Sequence, residues 1–140
     1  MWIDRSIKTE LLDLANKYPV IMVTGPRQSG KTSLCRKVFP GKPYYSLENP
    51  DIRAAIMTDP RSFFNNNPEG AIIDEFQRYP ELLSYMQGIV DDKKQKGQFI
   101  LTGSNDIAMQ NNVSQSLAGR IALLKLLPFS VHEISEITTG

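Results

Sequence analysis

The sequence predicts an α/β protein, a three-layer αβα arrangement around a five-stranded parallel sheet. Three observations carry that reading. Short apolar runs at 20–24, 43–47, 71–74, 99–102 and 121–127 alternate with stretches of helical spacing. Such alternation builds right-handed crossovers, hence parallel strands with helices on both faces. The run at 20–24 is apolar nearly throughout, as strands buried on both faces are. Finally, polar residues gather just past the ends of these runs, where open α/β sheets collect ligands.

In order along the chain, residues 3–17 carry Ile7, Leu11 and Leu14 at helical spacing, with Leu12 and Ala15 alongside, and Tyr18-Pro19 closes the helix. The first strand follows at 20–24. A helix at 32–38 comes after a glycine-containing loop and is stopped by Pro40-Gly41. Residues 43–47 are the second strand. Glu48-Asn49-Pro50-Asp51 starts a helix over 52–57, and a shorter one covers 60–64. Asn65-Asn66-Asn67-Pro68 is a polar loop before the third strand at 71–74. Leu82, Leu83, Met86, Ile89 and Val90 share one side of a helix over 80–90. Residues 91–97, DDKKQKG, read as a charged, solvated turn before the fourth strand. A weakly periodic helix is expected over 105–118, then the fifth strand, a turn at Pro128-Phe129-Ser130 and an amphipathic piece at 131–137. Tyr44, Tyr45, Phe63 and Phe64 read as core or sheet residues rather than a base-stacking platform.

Composition narrows the class. The chain of 140 residues is one domain's worth, with 41% hydrophobic and 22% charged residues. A net charge of +1 leaves no electrostatic footprint for nucleic acid or an anionic membrane. The single cysteine, Cys35, excludes an internal disulfide and reads as a buried thiol in a reducing compartment. No apolar run approaches the ~18 residues of a membrane span, and the first residues are not a signal peptide. The expectation is a soluble, cytoplasmic domain. His132 has no cysteine partners, so zinc is not supported.

Between the first strand and its helix lies Gly25-Pro26-Arg27-Gln28-Ser29-Gly30-Lys31-Thr32, which fits G-x-x-x-x-G-K-[ST], the phosphate-binding P-loop. Gly25 and Gly30 permit backbone angles that let successive N–H groups turn inward around a phosphate. The helix opening at Ser29 to Ser33 adds free N–H groups and a dipole that favours an anion. Lys31 can reach the outer phosphates, and the Thr32 hydroxyl can ligate Mg²⁺.

Ala71-Ile72-Ile73-Asp74-Glu75 is an apolar strand ending in two carboxylates. Asp74 fits the Walker-B role of holding Mg²⁺ or its water shell opposite Thr32. Glu75 can accept a proton from the attacking water. Ser104 and Asn105, at the mouth of the fourth strand, are candidates to hydrogen-bond a γ-phosphate or that water. Gly119 fits a helix cap, and Arg120 is either an ordinary charge or a group that stabilises a transferring phosphoryl, as arginine fingers do.

In this order and spacing, GPRQSGKT, AIIDEFQ, ILTGSN, SLAGR and LLPFS resemble the AAA-type ATPase domain of a bacterial and archaeal family. Its members usually carry a further C-terminal domain of unknown function. The resemblance covers nearly the whole chain. It implies a P-loop core of the additional-strand type and ATP with Mg²⁺. It also implies Lys31 and Thr32 at the phosphates, Asp74 at the metal, Glu75 as base, a sensor at Ser104 or Asn105 and a finger-like role for Arg120. Family members continue well past the fifth strand, so residues 1–140 are expected to be one ATP-binding core without its lid and effector parts. Its partners are then the nucleotide, that missing C-terminal domain and further copies of itself, with no membrane partner.

Three functions compete: an ATP hydrolase driving an attached domain, a nucleotide-dependent switch with slow turnover, and a small-molecule kinase. Glu75 directly after Asp74 favours water activation and ranks the kinase last. A GTPase is disfavoured, because no Asn-Lys-x-Asp base reader follows the P-loop and Asp74-Glu75-Phe76-Gln77 lacks the glycine of a D-x-x-G switch.

Overall fold

The run Val-Ile-Met-Val-Thr has no polar side for solvent until its last residue, and it becomes an interior strand, β1 (Val20–Thr24), buried along its whole length. The computed structural model describes residues 5–26, 30–104 and 107–126. Around β1 lie β2 (Tyr44–Ser46), β3 (Ala71–Asp74), β4 (Phe99–Gly103) and β5 (Ile121–Lys125). They form one sheet in the order β2-β3-β4-β1-β5, and every pairing is parallel. The strand β4 inserted between β3 and β1 is the additional-strand arrangement expected from the resemblance. In the register, Thr24 stands beside Gly103 and Lys125, and Ser46 beside Asp74, so the ends of all five strands meet at one edge.

Helices cover both faces. On one, α1 (Arg5–Ala15) and α2 (Lys31–Val38) pack Leu11, Ala15, Leu34 and Cys35 onto Ile21, Val23, Ile72 and Ile100. On the other, α3 (Pro50–Thr58), α4 (Pro60–Asn65), α5 (Leu82–Lys93) and α6 (Ile107–Ser116) cover Met22, Ile73, Phe99 and Leu101. Tyr45, Phe63, Phe64 and Phe99 run edge-to-face through this second core, with centroids 4.9 to 5.5 Å apart. These aromatics are packing residues, as the sequence suggested.

Local chemistry sets the helix starts. Asn49 accepts from the N–H groups of Asp51 and Ile52 at 2.9 and 3.3 Å, and Pro50 occupies the first turn of α3, where no N–H is needed. Asn49→Ala is expected to cost about 1 kcal/mol of stability, read as a lower urea midpoint with an unchanged slope. An unchanged midpoint removes this cap from the account. Gly70, at φ +94, precedes β3 where a Cβ would lie 1.6 Å from the Gln98 carbonyl oxygen, so the sheet closes there only over glycine.

Two elements differ from expectation. Asp91, Asp92 and Lys93 continue α5 rather than forming a turn, because nothing in them breaks a helix and their charges stay in solvent. The helix ends at Lys94, which adopts φ 55. After β3 the chain makes an unforeseen 3₁₀ turn, Phe76–Arg78, that drives Phe76 fully into the core. The helix expected over 105–118 spans Ile107–Ser116, and the piece expected at 131–137 lies outside the described residues.

Candidate functional site

Among the described residues, those anticipated after β1, β3 and β4 (Lys31, Thr32, Asp74, Glu75 and Ser104) lie at the carboxyl edge of the sheet. The Gly25 N–H donates to the Gly103 carbonyl at 3.2 Å, seating the start of the loop against the end of β4. The chain re-enters at Gly30, whose φ of 88 lies in the left-handed region that glycine adopts without strain. Lys31 and Thr32 form the first turn of α2, where N–H groups have no acceptor within the helix. Arg27, Gln28, Ser29 and Asn105 lie outside the described residues. Ser33 is exposed, Pro26 half-buried and Ser104 half-buried just past β4.

Asp74 is the centre of the site. It is 6% exposed at the last position of β3, and three hydroxyls converge on its carboxylate. Thr32 donates to Oδ1 at 2.9 Å from the first turn of α2, and Thr102 donates to the same oxygen from β4. Tyr44 donates to Oδ2 at 2.6 Å from β2. Strand alternation explains the convergence: Asp74 follows Ile72 by two residues and Thr102 follows Ile100 by two, and both isoleucines face α2. Burial first, then the bond to Asp74, push the Tyr44 phenol above its ordinary pKa, so it stays a donor at neutral pH.

Lys31 is 5% exposed, and its Nζ lies 3.8 Å from Glu75 Oε2 and 3.5 Å from the Pro26 carbonyl. Glu75 adopts φ 56 and ψ 52, a left-handed conformation uncommon outside glycine. Its N–H donates to Thr102 Oγ1 at 3.0 Å, and its Oε1 accepts from Gln77 Nε2 at 2.7 Å. The Glu75 carboxylate lies by the lysine and Gln77, while the Asp74 carboxylate is taken by the three hydroxyls. Cys35, one turn along α2, is fully buried; burial first, then the charge of Asp74, push its thiol up to about 12, which leaves it inert.

Arg120 is not brought to this cluster. Its carbonyl accepts from the Val20 N–H at 3.2 Å, which puts it at the amino edge of the sheet, a strand length from the P-loop. The guanidinium is held there by Asp91, with Nη1 2.5 and 2.6 Å from the two carboxylate oxygens, and Nη2 donates to the Ser116 carbonyl at 2.9 Å. It cannot reach phosphates bound at its own P-loop. Tyr44, Thr102 and Gln77 are site residues that the motifs did not single out.

The donor set suits a hard divalent cation: a hydroxyl and a carboxylate oxygen, 2.9 Å apart, at the mouth of the loop. Among the described residues no group of three or more His, Cys, Asp or Glu is placed to hold a metal. A pair of this kind leaves most of a cation's coordination positions to other oxygens, and Mg²⁺ commonly fills such positions with water and phosphate.

Comparison with known proteins bears on the family and the fold. A family profile described as "AAA domain" matches residues 17–135. The chain belongs to the AAA domain family. Uncharacterized proteins of Mycobacterium bovis and Mycobacterium tuberculosis are each 33% identical to it over 132 residues. That match covers 93% of this chain but only 30% of each relative. Among solved structures, this AAA domain is similar to a Walker-type ATPase of Pyrococcus abyssi, with TM-score 0.55 and 15% identity over 91% of this chain and 53% of that one. A DNA replication initiation factor gives TM-score 0.61 at 16% identity, covering 96% of this chain and 47% of that one. Domain III of the replication initiation protein DnaA from Thermotoga maritima gives 0.54 at 14%, covering 100% and 78%. At such identities the likeness bears on the fold, a P-loop NTPase core. Family and fold together support nucleotide binding in general. No helix among the described residues is long and apolar enough to cross a membrane.

Proposed function

We propose that this AAA domain binds ATP with Mg²⁺ and hydrolyses it, and that its nucleotide state is passed to an attached or partner domain. The observation that carries the reading is the Thr32–Asp74 hydrogen bond of 2.9 Å, which joins the P-loop helix to the acidic end of β3. In this reading the amides of Gly30, Lys31 and Thr32 cradle the phosphates and Lys31 pairs with the outer ones. Thr32, with Asp74 or a water held by it, would hold Mg²⁺, which would supply positive charge to offset that of the phosphates. Glu75 takes a proton from the attacking water, and Ser104 or Asn105 hydrogen-bonds the γ-phosphate or that water. Arriving phosphate draws Lys31 off Glu75, which frees Oε2 for that water.

Arg120 acts, in this account, on a neighbouring copy's nucleotide. Arg120→Ala is expected to slow turnover of the assembled protein and leave nucleotide affinity unchanged. Its half-exposed pair with Asp91 contributes at most ~1 kcal/mol to stability, so the variant stays folded. An unchanged turnover rate takes Arg120 out of the mechanism.

A second reading, a switch with little turnover, is favoured by one observation: both Glu75 oxygens are engaged, one by Gln77 and one by Lys31. Titration with ATP, ADP and GTP followed by phosphate release separates the two. Hydrolysis predicts ATP binding with repeated turnover, a switch predicts binding with no more than one phosphate per site, and no binding of any nucleotide contradicts both.

A further inference from the structure

Asp74 is gripped from both neighbouring strands as well as from above. The two threonines share Oδ1, one from α2 and one from β4, while Oδ2 is taken by Tyr44 from the opposite side, on β2. We infer that Tyr44 is a positioning residue for the metal-binding carboxylate, its hydroxyl fixing the Asp74 side chain so that Oδ1 faces Thr32. This rests on the reading of Thr32 and Asp74 as the metal-holding pair.

The terminal torsion of an aspartate is broad and roughly twofold, so packing alone does not decide which oxygen faces the loop. A donor dedicated to one oxygen does. At 2.6 Å the Tyr44 bond is as short as charge-assisted O–H···O⁻ bonds are, and it comes from a ring that is itself held. Tyr44 packs against the core beneath α2, and the Arg36 guanidinium lies 4.5 Å from its ring centroid. Arg36 stands one helical turn after Thr32. The same helix therefore delivers the hydroxyl that touches Oδ1 and pins the ring that holds Oδ2. Partners that orient a metal's carboxylate usually matter about tenfold or more in metal affinity. Tyr44 is half-buried in β2, an edge strand of three residues, so its ring fills little of the deep core.

The test measures the affinity of the protein for a slowly hydrolysed fluorescent ATP analogue across a Mg²⁺ titration and in excess EDTA. Tyr44→Phe keeps the ring and removes only the hydroxyl. It is expected to need about tenfold more Mg²⁺ for half of the metal-dependent gain. Its affinity in EDTA is expected to match the wild type, and its melting temperature to fall only modestly, since Asp74 Oδ2 loses one charge-assisted donor. Arg36→Ala, which loosens the ring but keeps the hydroxyl, is expected to shift the Mg²⁺ midpoint less than Tyr44→Phe. Asp74→Asn gives the reference in which most of the Mg²⁺ gain is lost. A Tyr44→Phe curve superimposed on a Mg²⁺-responsive wild type overturns the role of Tyr44 alone. An equal loss in EDTA overturns it too, because the hydroxyl is then merely structural. A wild type indifferent to Mg²⁺ overturns the metal site and the inference together.

Discussion

Lys31→Ala is expected to weaken ATP binding by at least about thirtyfold, the largest effect on affinity of any single substitution proposed for the site. Lys31 is a buried cation whose partners are Glu75 Oε2 at 3.8 Å and the Pro26 carbonyl at 3.5 Å. Neither distance makes a strong bond, so the ammonium is available to a better anion. A triphosphate arriving on the amides of α2 is such an anion, and truncating one side of a desolvated charge pair costs roughly 2 to 5 kcal/mol. Equilibrium titration with a fluorescent ATP analogue measures it, with circular dichroism to show that the variant is folded. Near-wild-type affinity in a folded Lys31→Ala protein makes the P-loop octet decorative.

Glu75→Gln is expected to leave ATP affinity within about threefold of wild type and to lower turnover by roughly 10² to 10⁴, the usual contribution of a general base. The amide keeps the size of the side chain, so the left-handed turn at φ 56 is not further strained, and it has an oxygen for the bond now made by Gln77. It loses the charge facing Lys31 and the ability to take a proton. Removing a negative charge beside the phosphates favours binding slightly, so affinity and turnover move in opposite directions. Multiple-turnover phosphate release reads the second effect. If turnover survives the substitution, Glu75 is not the base.

The parts of this site that depend on neighbours in sequence were legible from the chain alone. The P-loop spacing, the acidic end of an apolar run and the alternation of strands with helices are each written within a dozen or so residues. They gave the parallel sheet, the edge on which the chemistry gathers, and Lys31, Thr32 and Asp74 as its components. What depends on strand order was not legible. Tyr44 opens a short strand, and nothing local says that this strand lies beside β3. Thr102 sits inside the motif ILTGSN, whose polar residues past the strand, Ser104 and Asn105, are the ones that the pattern points to. Its contact with Asp74 requires β4 to be the other neighbour of β3. Arg120 is a different case, because its place relative to its own P-loop can be read from the chain. A residue just before a strand stands at the amino edge, so in an all-parallel sheet its position already removes it from a site built past the carboxyl ends. Asp91, which holds it, lies in a charged run that reads as a solvated turn, whereas the first residues of that run carry nothing that stops a helix.

The central claim is that the loop after β1 and the carboxylate at the end of β3 grip one metal–triphosphate unit. A crystal structure with a non-hydrolysable ATP analogue and Mn²⁺ in place of Mg²⁺ tests it most directly, since manganese is located by its anomalous signal. The account predicts a single strong peak in contact with Thr32 Oγ1 and a phosphate oxygen, with Asp74 coordinating it or bonding its water and Lys31 moved from Glu75 to the phosphates. A nucleotide bound away from α2, or a manganese peak remote from Thr32 and Asp74, contradicts it.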